Sequence, residues 1–401
     1  MVKRINILLL GAHINSSNLG CQALTYSLVD LLEKIATANG IKMEYYVLEY
    51  QPDEEVTTQF AKRIGLKSNH ISSYKFPFIL SWKNIIKQHS SIHMFRKLMN
   101  KVDIAIDITA GDSFADIYGN DRFLATTRIK ELIEKKGIPL VLGPQTYGPF
   151  NNVENEKFAT KIIKNAYRVI SRDIYSAEYV RKMIKREIPI TTDLAFQLPY
   201  KKRNIDTGKT KIGINISGLL VERASEAGFV NKNSLKTDYD TYVDELLRYL
   251  ISEKKYDIYL IPHVEEDVQA CQFFYSKYQN IKLINMFSNP MDVKSFISGM
   301  DIFIGARMHA TIAAFTSGVV TIPTAYSRKF ETMFSVVKYN VIVDLQELNT
   351  KNALEKTRSY IEHYDELQKQ VEKSLNIANY YKKQTEDFFS EAILSLEVNH
   401  E

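Results

Sequence analysis

Short apolar runs separated by helical periodicity recur along the whole chain. INILLL (5–10), EYYVLE (44–49), VDIAIDI (102–108), IPLVLG (138–143), RVISR (168–172) and IPITT (188–192) read as strands rich in β-branched residues. Helices are predicted between them over 21–37, 122–136, 155–166 and 174–184. The polar stretch KKRNIDTGKTK (201–211) reads as a linker. A second alternating set follows: IGINIS (212–217), DIYLIPH (257–263), IKLINM (281–286), DIFIGA (301–306) and VVTIPTA (319–325), with helices near 239–253, 266–277 and 309–316. From about 351 onward the pattern is helical. Alternating βα units predict an α/β protein of two Rossmann-like, doubly wound domains, 1–200 and 201–350, facing each other across a cleft. The helical segment 351–401 completes the chain, and packing back on the N-terminal domain is one arrangement open to it.

Open parallel sheets bind ligands beyond the carboxyl ends of their strands, so the chemistry is expected in loops that follow strands. The loop after 301–306 carries Arg307 and His309 into a helix start, where free N–H groups favour an anion and Arg307 adds a bidentate clamp. After 319–325 come Tyr326, Ser327, Arg328 and Lys329, with Ser327 as candidate N-cap and Lys329 in the first turn. Cations there oppose the helix dipole unless a bound anion relieves them; solvated capping charges are the alternative. In the first half, Arg172 and Asp173 end one strand, either as a mutual pair or with Arg172 facing the cleft.

DITAGDSFADIYG carries Asp112 and Asp116, suited either to binding or deprotonating sugar hydroxyls or to capping turns. GPQTYGPF adds Gln145 and Tyr147 on the acceptor side. The first loop holds His13, Asn15 and Asn18 between Gly11 and Gly20, and lacks the G-x-G-x-x-G spacing of a dinucleotide site. His263, after a strand in LIPH, is either a group that reaches the cleft or, as a lone histidine more often is, structural. Asp238-Tyr239-Asp240 spells a metal-binding DxD, yet it precedes a helix and is expected to cap it, so no metal or other cofactor is expected.

Composition narrows the class. The chain has 401 residues, 45% of them hydrophobic and 25% charged, as in soluble globular proteins, and its formal charge of +5 is too small to imply nucleic acid. Two isolated cysteines, Cys21 and Cys271, fit a reducing compartment, and the expected location is cytoplasmic. Charge is unevenly spread: residues 56–102 hold nine Lys or Arg and no Asp or Glu, with Trp82, Phe76, Phe78 and Phe95 among them. Such a stretch is either a solvated insertion or a contact for an anionic membrane face or an acidic or lipid-linked glycan.

The ordered stretches NSSNLGCQAL, DITAGDSFADIYG, GPQTYGPF, SRDIYSAEYV, TDLAF, GINISG, IPH, GARMHATIAAFTSG and IPTAYSRKF resemble the polysaccharide pyruvyl transferase family over roughly residues 5–345. That resemblance implies a GT-B-like fold, phosphoenolpyruvate as donor substrate, and a saccharide acceptor, lipid-linked in one version, that receives pyruvate as a ketal. It places the donor-site arginine, histidine and lysine at Arg172, His309 and Lys329, with Arg307, Tyr326 and Ser327 beside them. Asp112 is the candidate acceptor base, and Asn18, Asp116, Gln145 and Tyr147 complete the acceptor side. The chain departs from the family at Cys21, where an acidic residue is common, and at T-A-G-D in place of a glycine triplet. Two other readings stay open: a nucleotide-sugar glycosyltransferase of the same fold, and a non-catalytic glycan-binding relative.

Overall fold

The computed structural model describes residues 3–77, 89–221 and 234–396. They form two compact units, the first from Met1–Ser16, Leu24–Gln197 and Tyr381–Glu401, the second from Ser17–Ala23 and Leu198–Tyr380.

The first unit is built on β1 (Arg4–Leu10), β2 (Lys42–Glu49), β3 (Ile71–Lys75), β4 (Ile104–Asp107), β5 (Leu140–Gln145) and β6 (Arg168–Ser171), all parallel, in the order β3-β2-β1-β4-β5-β6. Its helices are α1 (Leu19–Asn39), α2 (Glu54–Arg63), α3 (His89–Met99), α4 (Asn120–Lys135), α5 (Val153–Asn165) and α6 (Ile174–Ile184). Six of the seven β1 residues are buried, because helices cover both faces of a parallel sheet and remove the usual in–out alternation.

In the second unit β7 (Thr210–Asn215), β8 (Tyr256–Leu260), β9 (Lys282–Leu283), β10 (Ile302–Gly305), β11 (Val320–Ala325) and β12 (Val343–Asp344) pair in the order β12-β11-β10-β7-β8-β9. Read from β9, this is the order of the first sheet. Its helices are α7 (Tyr239–Ser252), α8 (Glu265–Lys277), α9 (Pro290–Ile297), α10 (Met308–Phe315), α11 (Lys329–Ser335), α12 (Thr350–Glu362) and α13 (Tyr364–Leu394), the last running through the boundary at Tyr380. Leu19, in the short segment assigned to this unit, packs in one apolar cluster with Tyr259, Ile297, Phe303 and Ala310.

The order reverses direction between β1 and β4 and between β7 and β10, the positions where an open α/β sheet leaves a crevice at its strand ends. At the first of these, Gly11 has φ 62° and a side chain there would lie 2.3 Å from the Thr109 Cα, so only glycine lets the two loops meet.

Several expectations need correction. IPITT makes one bridge, Ile190 to Ser171, and no strand, since Pro189 has no N–H to donate. β3 was not expected: ISSYK is half polar, as an edge strand with one neighbour can be. Asp238 does cap α7, accepting from Thr241 N at 3.0 Å. Within the basic stretch, Phe76 and Phe95 are core residues. Phe78, Trp82, Lys83 and Lys87 lie outside the described residues.

Candidate functional site

In the first unit the loop after β4 sits on a buried polar hub. Asp107, at the end of β4, pairs with Lys130 of α4 at 3.2 Å, and both side chains are 1% exposed. Thr109 Oγ1 donates to Asp107 at 2.7 Å and accepts from Lys130 Nζ at 3.1 Å, while Gln145 Nε2 donates to Asp107 Oδ2 at 3.0 Å. Burial pushes the Lys130 ammonium down, and Asp107 opposes it. The hub holds Thr109 and Ala110 at φ 32° and 50°, left-handed conformations that cost a β-branched threonine of the order of 1–3 kcal/mol. The loop then presents Asp112, half-buried, whose Oδ2 accepts from Tyr118 OH at 2.8 Å.

Arg172, at the end of β6, is a buried ion-pair member. Its Nη1 donates to Asp193 Oδ2 at 2.6 Å and its Nε to Thr146 Oγ1 at 2.9 Å, with side-chain exposures of 1% and 0% for Arg172 and Asp193. Asp173 is not its partner: it caps α6, accepting from Ser176 N at 2.7 Å. Asp193 further accepts from Ala195 N at 2.8 Å, fixing the TDLAF turn. In the first loop, Glu49 at the end of β2 accepts from Ile14 N at 2.6 Å and Asn15 N at 2.8 Å. His13 there is pushed down to about 4, by burial first and then by Arg122.

The second unit assembles a different cluster around Asp267 of α8. Asp267 is 0% exposed and ties three loops together. Its Oδ1 accepts from Gly218 N at 2.9 Å and from Arg307 Nε and Nη2 at 3.0 and 2.7 Å. Its Oδ2 accepts from Asn215 Nδ2 at 3.1 Å, His263 N at 3.2 Å and Val264 N at 3.3 Å. Asn215, ending β7, also accepts from Arg307 N at 3.0 Å. Arg307 is thereby fixed as the N-cap residue of α10, a helix start with no side-chain cap.

His309, in the first turn of α10, lies against Gly20. Asn18 caps the start of α1 by accepting from Gly20 N at 2.9 Å, and it forms a bridge to Val264. Asn18, Gly20, His263, Arg307 and His309 are thus neighbours within the second unit. His263 is pushed down to about 3, by burial first and by His309 and Arg307 after it, so its ring is neutral at physiological pH. Lys329 is the first residue of α11 and half-buried; the N-cap is Arg328, one residue later than expected, and Ser327 contributes only its carbonyl, to Phe330 N. Tyr326 packs on Phe330, with ring centroids 5.7 Å apart.

Three candidates on the acceptor side are engaged in contacts within the first unit. Gln145 is 0% exposed in the Asp107 hub. Tyr147 is 2% exposed, with its hydroxyl directed at the Ile170 carbonyl, 3.0 Å away. Asp116 accepts from Asn151 N at 2.8 Å, Asn152 N at 3.0 Å and Asn155 Nδ2 at 3.1 Å. Burial raises its carboxyl, but those bonds outweigh it and the net shift is downward. Asp107, Lys130, Asp193, Asn215 and Asp267 were not singled out from sequence. Lys130 had a signal, because it falls in the helical stripe of Phe123, Thr127 and Ile133, all buried.

A family model, "Polysaccharide pyruvyl transferase", matches residues 18–328. No curated protein matches the chain. Among solved structures, UDP-GlcNAc 2-epimerase from Neisseria meningitidis bound to UDP-GlcNAc is similar with TM-score 0.58 and 12% identity, over 98% of this chain and 100% of that one. UDP-GlcNAc 2-epimerase from Methanocaldococcus jannaschii gives 0.58 and 11%, over 90% and 92%. A UDP-forming α,α-trehalose-phosphate synthase from Burkholderia vietnamiensis gives 0.54 and 8%, over 98% and 99%. At such identities the likeness is one of fold, and it agrees with two Rossmann-like units of GT-B type. The family model spans well over half of the chain, and the protein belongs to the polysaccharide pyruvyl transferase family, a transferase of polysaccharide biosynthesis.

Proposed function

We propose that the protein transfers pyruvate from phosphoenolpyruvate to two hydroxyls of a saccharide, forming a ketal and releasing inorganic phosphate. The observation that carries this reading is the start of α10. An uncapped helix N-terminus, a locked Arg307 and His309 converge there, and such a start favours an anion. Phosphoenolpyruvate brings two anionic groups.

In this reading His309 gives a proton to the methylene carbon of the donor, leaving positive charge at C2. A sugar hydroxyl attacks C2 as its proton leaves, to Asp112 in this assignment. The bond from C2 to the phosphate oxygen breaks, and a second hydroxyl closes the ketal on C2 as its proton passes to the departing phosphate. Arg307 and Lys329 hold the anionic groups, with Tyr326 beside them. Arg172 keeps its donor role on the family resemblance. Its burial against Asp193 makes Arg172→Ala a poor test, because the variant strands a buried carboxylate.

The test is calorimetric titration with phosphoenolpyruvate and with a panel of UDP- and GDP-sugars, on wild type, Lys329→Met and His309→Asn. Binding of phosphoenolpyruvate alone, weakened in both variants, is the expected result. Binding of a nucleotide sugar instead would make the protein a glycosyltransferase, and binding of glycan with no donor would make it a non-catalytic relative.

The acceptor in this proposal is a lipid-linked precursor of a cell-surface or exported polysaccharide, met at the cytoplasmic membrane face. Support comes from a pocket of about 470 Å³ lined by His93, Arg96, Lys97, Met99, Asn100 and Lys136, which lies partly on α3 in the basic stretch and has no acidic residue in its wall. Met94 on the same helix is 49% exposed. Among the described residues no helix is long and apolar enough to cross a membrane.

A further inference from the structure

His263 is 3% exposed, and neither ring nitrogen has a hydrogen-bond partner. A buried imidazole without partners is costly, and native folds rarely retain one unless something else completes it. Its backbone is pinned, since His263 N and Val264 N both donate to Asp267, which also holds Arg307. The ring lies close enough to His309 and Arg307 to feel the charge of both. On the adjacent loop after β7, Ser217 Oγ is buried without a partner as well. Two side chains of this unit with unsatisfied polar atoms, His263 and Ser217, therefore lie at the strand ends beside the uncapped start of α10.

We propose that His263 contacts the ligand directly, its neutral ring donating an N–H to a phosphate or carboxylate oxygen of the anion held at the start of α10. The inference rests on the anion-site reading above and adds a residue to it. A neutral donor suits the place. Arg307 already brings a cationic group, and a further charge in so buried a position would be repelled and desolvated, whereas an uncharged N–H adds a bond without that cost. The same group selects for ligands with an acceptor oxygen at that point, because one lacking it would leave the imidazole buried and unpaired.

The experiment is titration of phosphoenolpyruvate and, separately, inorganic phosphate into wild type, His263→Phe and His263→Gln, with melting temperatures of the ligand-free proteins. Phe fills the space without a donor; Gln returns one. Loss of one such hydrogen bond predicts binding weaker by about tenfold in His263→Phe, with Gln recovering most of it. Because an apolar ring relieves the unmet hydrogen bonds, ligand-free His263→Phe should melt at or above the wild-type temperature. If Phe does not fit, His263→Ala takes its place in the binding comparison. Unchanged binding of both anions in the Phe or Ala variant overturns the inference and leaves the donor reading standing. So does equal destabilisation of the Phe and Gln variants with parallel loss of binding, the mark of a structural histidine. Phosphate binding that depends on His263, without phosphoenolpyruvate binding, sinks the donor reading and keeps the inference. If wild type binds neither anion, both fall.

Discussion

A β-carbon on Gly20 would lie 2.4 Å from His309 Nδ1 and 2.7 Å from its Cγ. The ring of His309 therefore rests on bare backbone at the start of α1, and the glycine of the NLG stretch is there for the histidine. Gly20→Ala should displace the ring and leave the sheet intact. A shift of about 1 Å in a catalytic group costs on the order of a hundredfold in rate. Pyruvyl transfer measured beside the melting temperature checks this: turnover falls steeply while the temperature holds.

Asp267 is the buried counter-charge for Arg307 and a bond acceptor for three loops. Asp267→Ala strands a guanidinium that is mostly buried and should cost about 3–5 kcal/mol of unfolding free energy. Asp267→Asn keeps the shape, loses the charge and should fall between. Urea denaturation of the three proteins gives the order.

The Lys130–Asp107 pair predicts a thermodynamic cycle. Lys130→Met leaves Asp107 buried alone and should destabilise by about 3–5 kcal/mol, whereas Lys130→Met with Asp107→Asn should recover part of that loss. Additive losses in the double variant would show that the two groups do not act as a pair.

Two buried histidines contribute to the acid response. His13 and His263 have folded values of about 4 and about 3, below the ordinary 6.5, so between those limits the unfolded chain binds protons that the folded one refuses. Stability from both is complete above 6.5 and is lost as pH falls. Each fully discriminated proton contributes a slope of about 1.4 kcal/mol per pH unit, so His263→Phe should unfold with a flatter dependence between pH 6.5 and 5. Urea midpoints across that range decide it.

The basic pocket on α3 predicts binding to vesicles containing phosphatidylglycerol that weakens sharply from low to physiological salt, with each cation near the surface contributing about 1 kcal/mol. Arg96→Ala with Lys97→Ala and Lys136→Ala should abolish co-sedimentation and leave phosphoenolpyruvate binding unchanged. No sedimentation of wild type at low salt removes the membrane contact from the proposal.

Much of the fold is legible in the apolar runs because parallel strands buried on both faces need continuous hydrophobic residues, and INILLL or DIFIGA have few other readings. The elements that escaped were those under other constraints. ISSYK forms an edge strand with little apolar content, and IPITT looks like a strand until its proline is counted. At the site, the loops after strands identify Arg307 and His309, but their supports are hidden. Asp267 follows Glu265 and Glu266 at a helix start, where acids are ordinary, and nothing local marks it as the partner of a residue forty positions on. The burial of Gln145 and Tyr147 was hidden in the same way, since polar residues in a glycine-rich loop look accessible until Tyr147 is seen among backbone carbonyls.

The division of the chain also bears on how it can be cut. The first unit ends twice, at Gln197 and again after α13, whose last turns include Glu391 bonded to Arg168 at 2.8 Å and Phe389 against Gly143. The second unit borrows Ser17–Ala23 from near the N-terminus. A fragment stopping at residue 200 would leave the covering of its own sheet behind on the other piece, and the complementary fragment would lack the glycine against which His309 rests. Neither half is a severable module: the polypeptide is laced through its two units, and each depends for completion on residues the other half of the gene encodes.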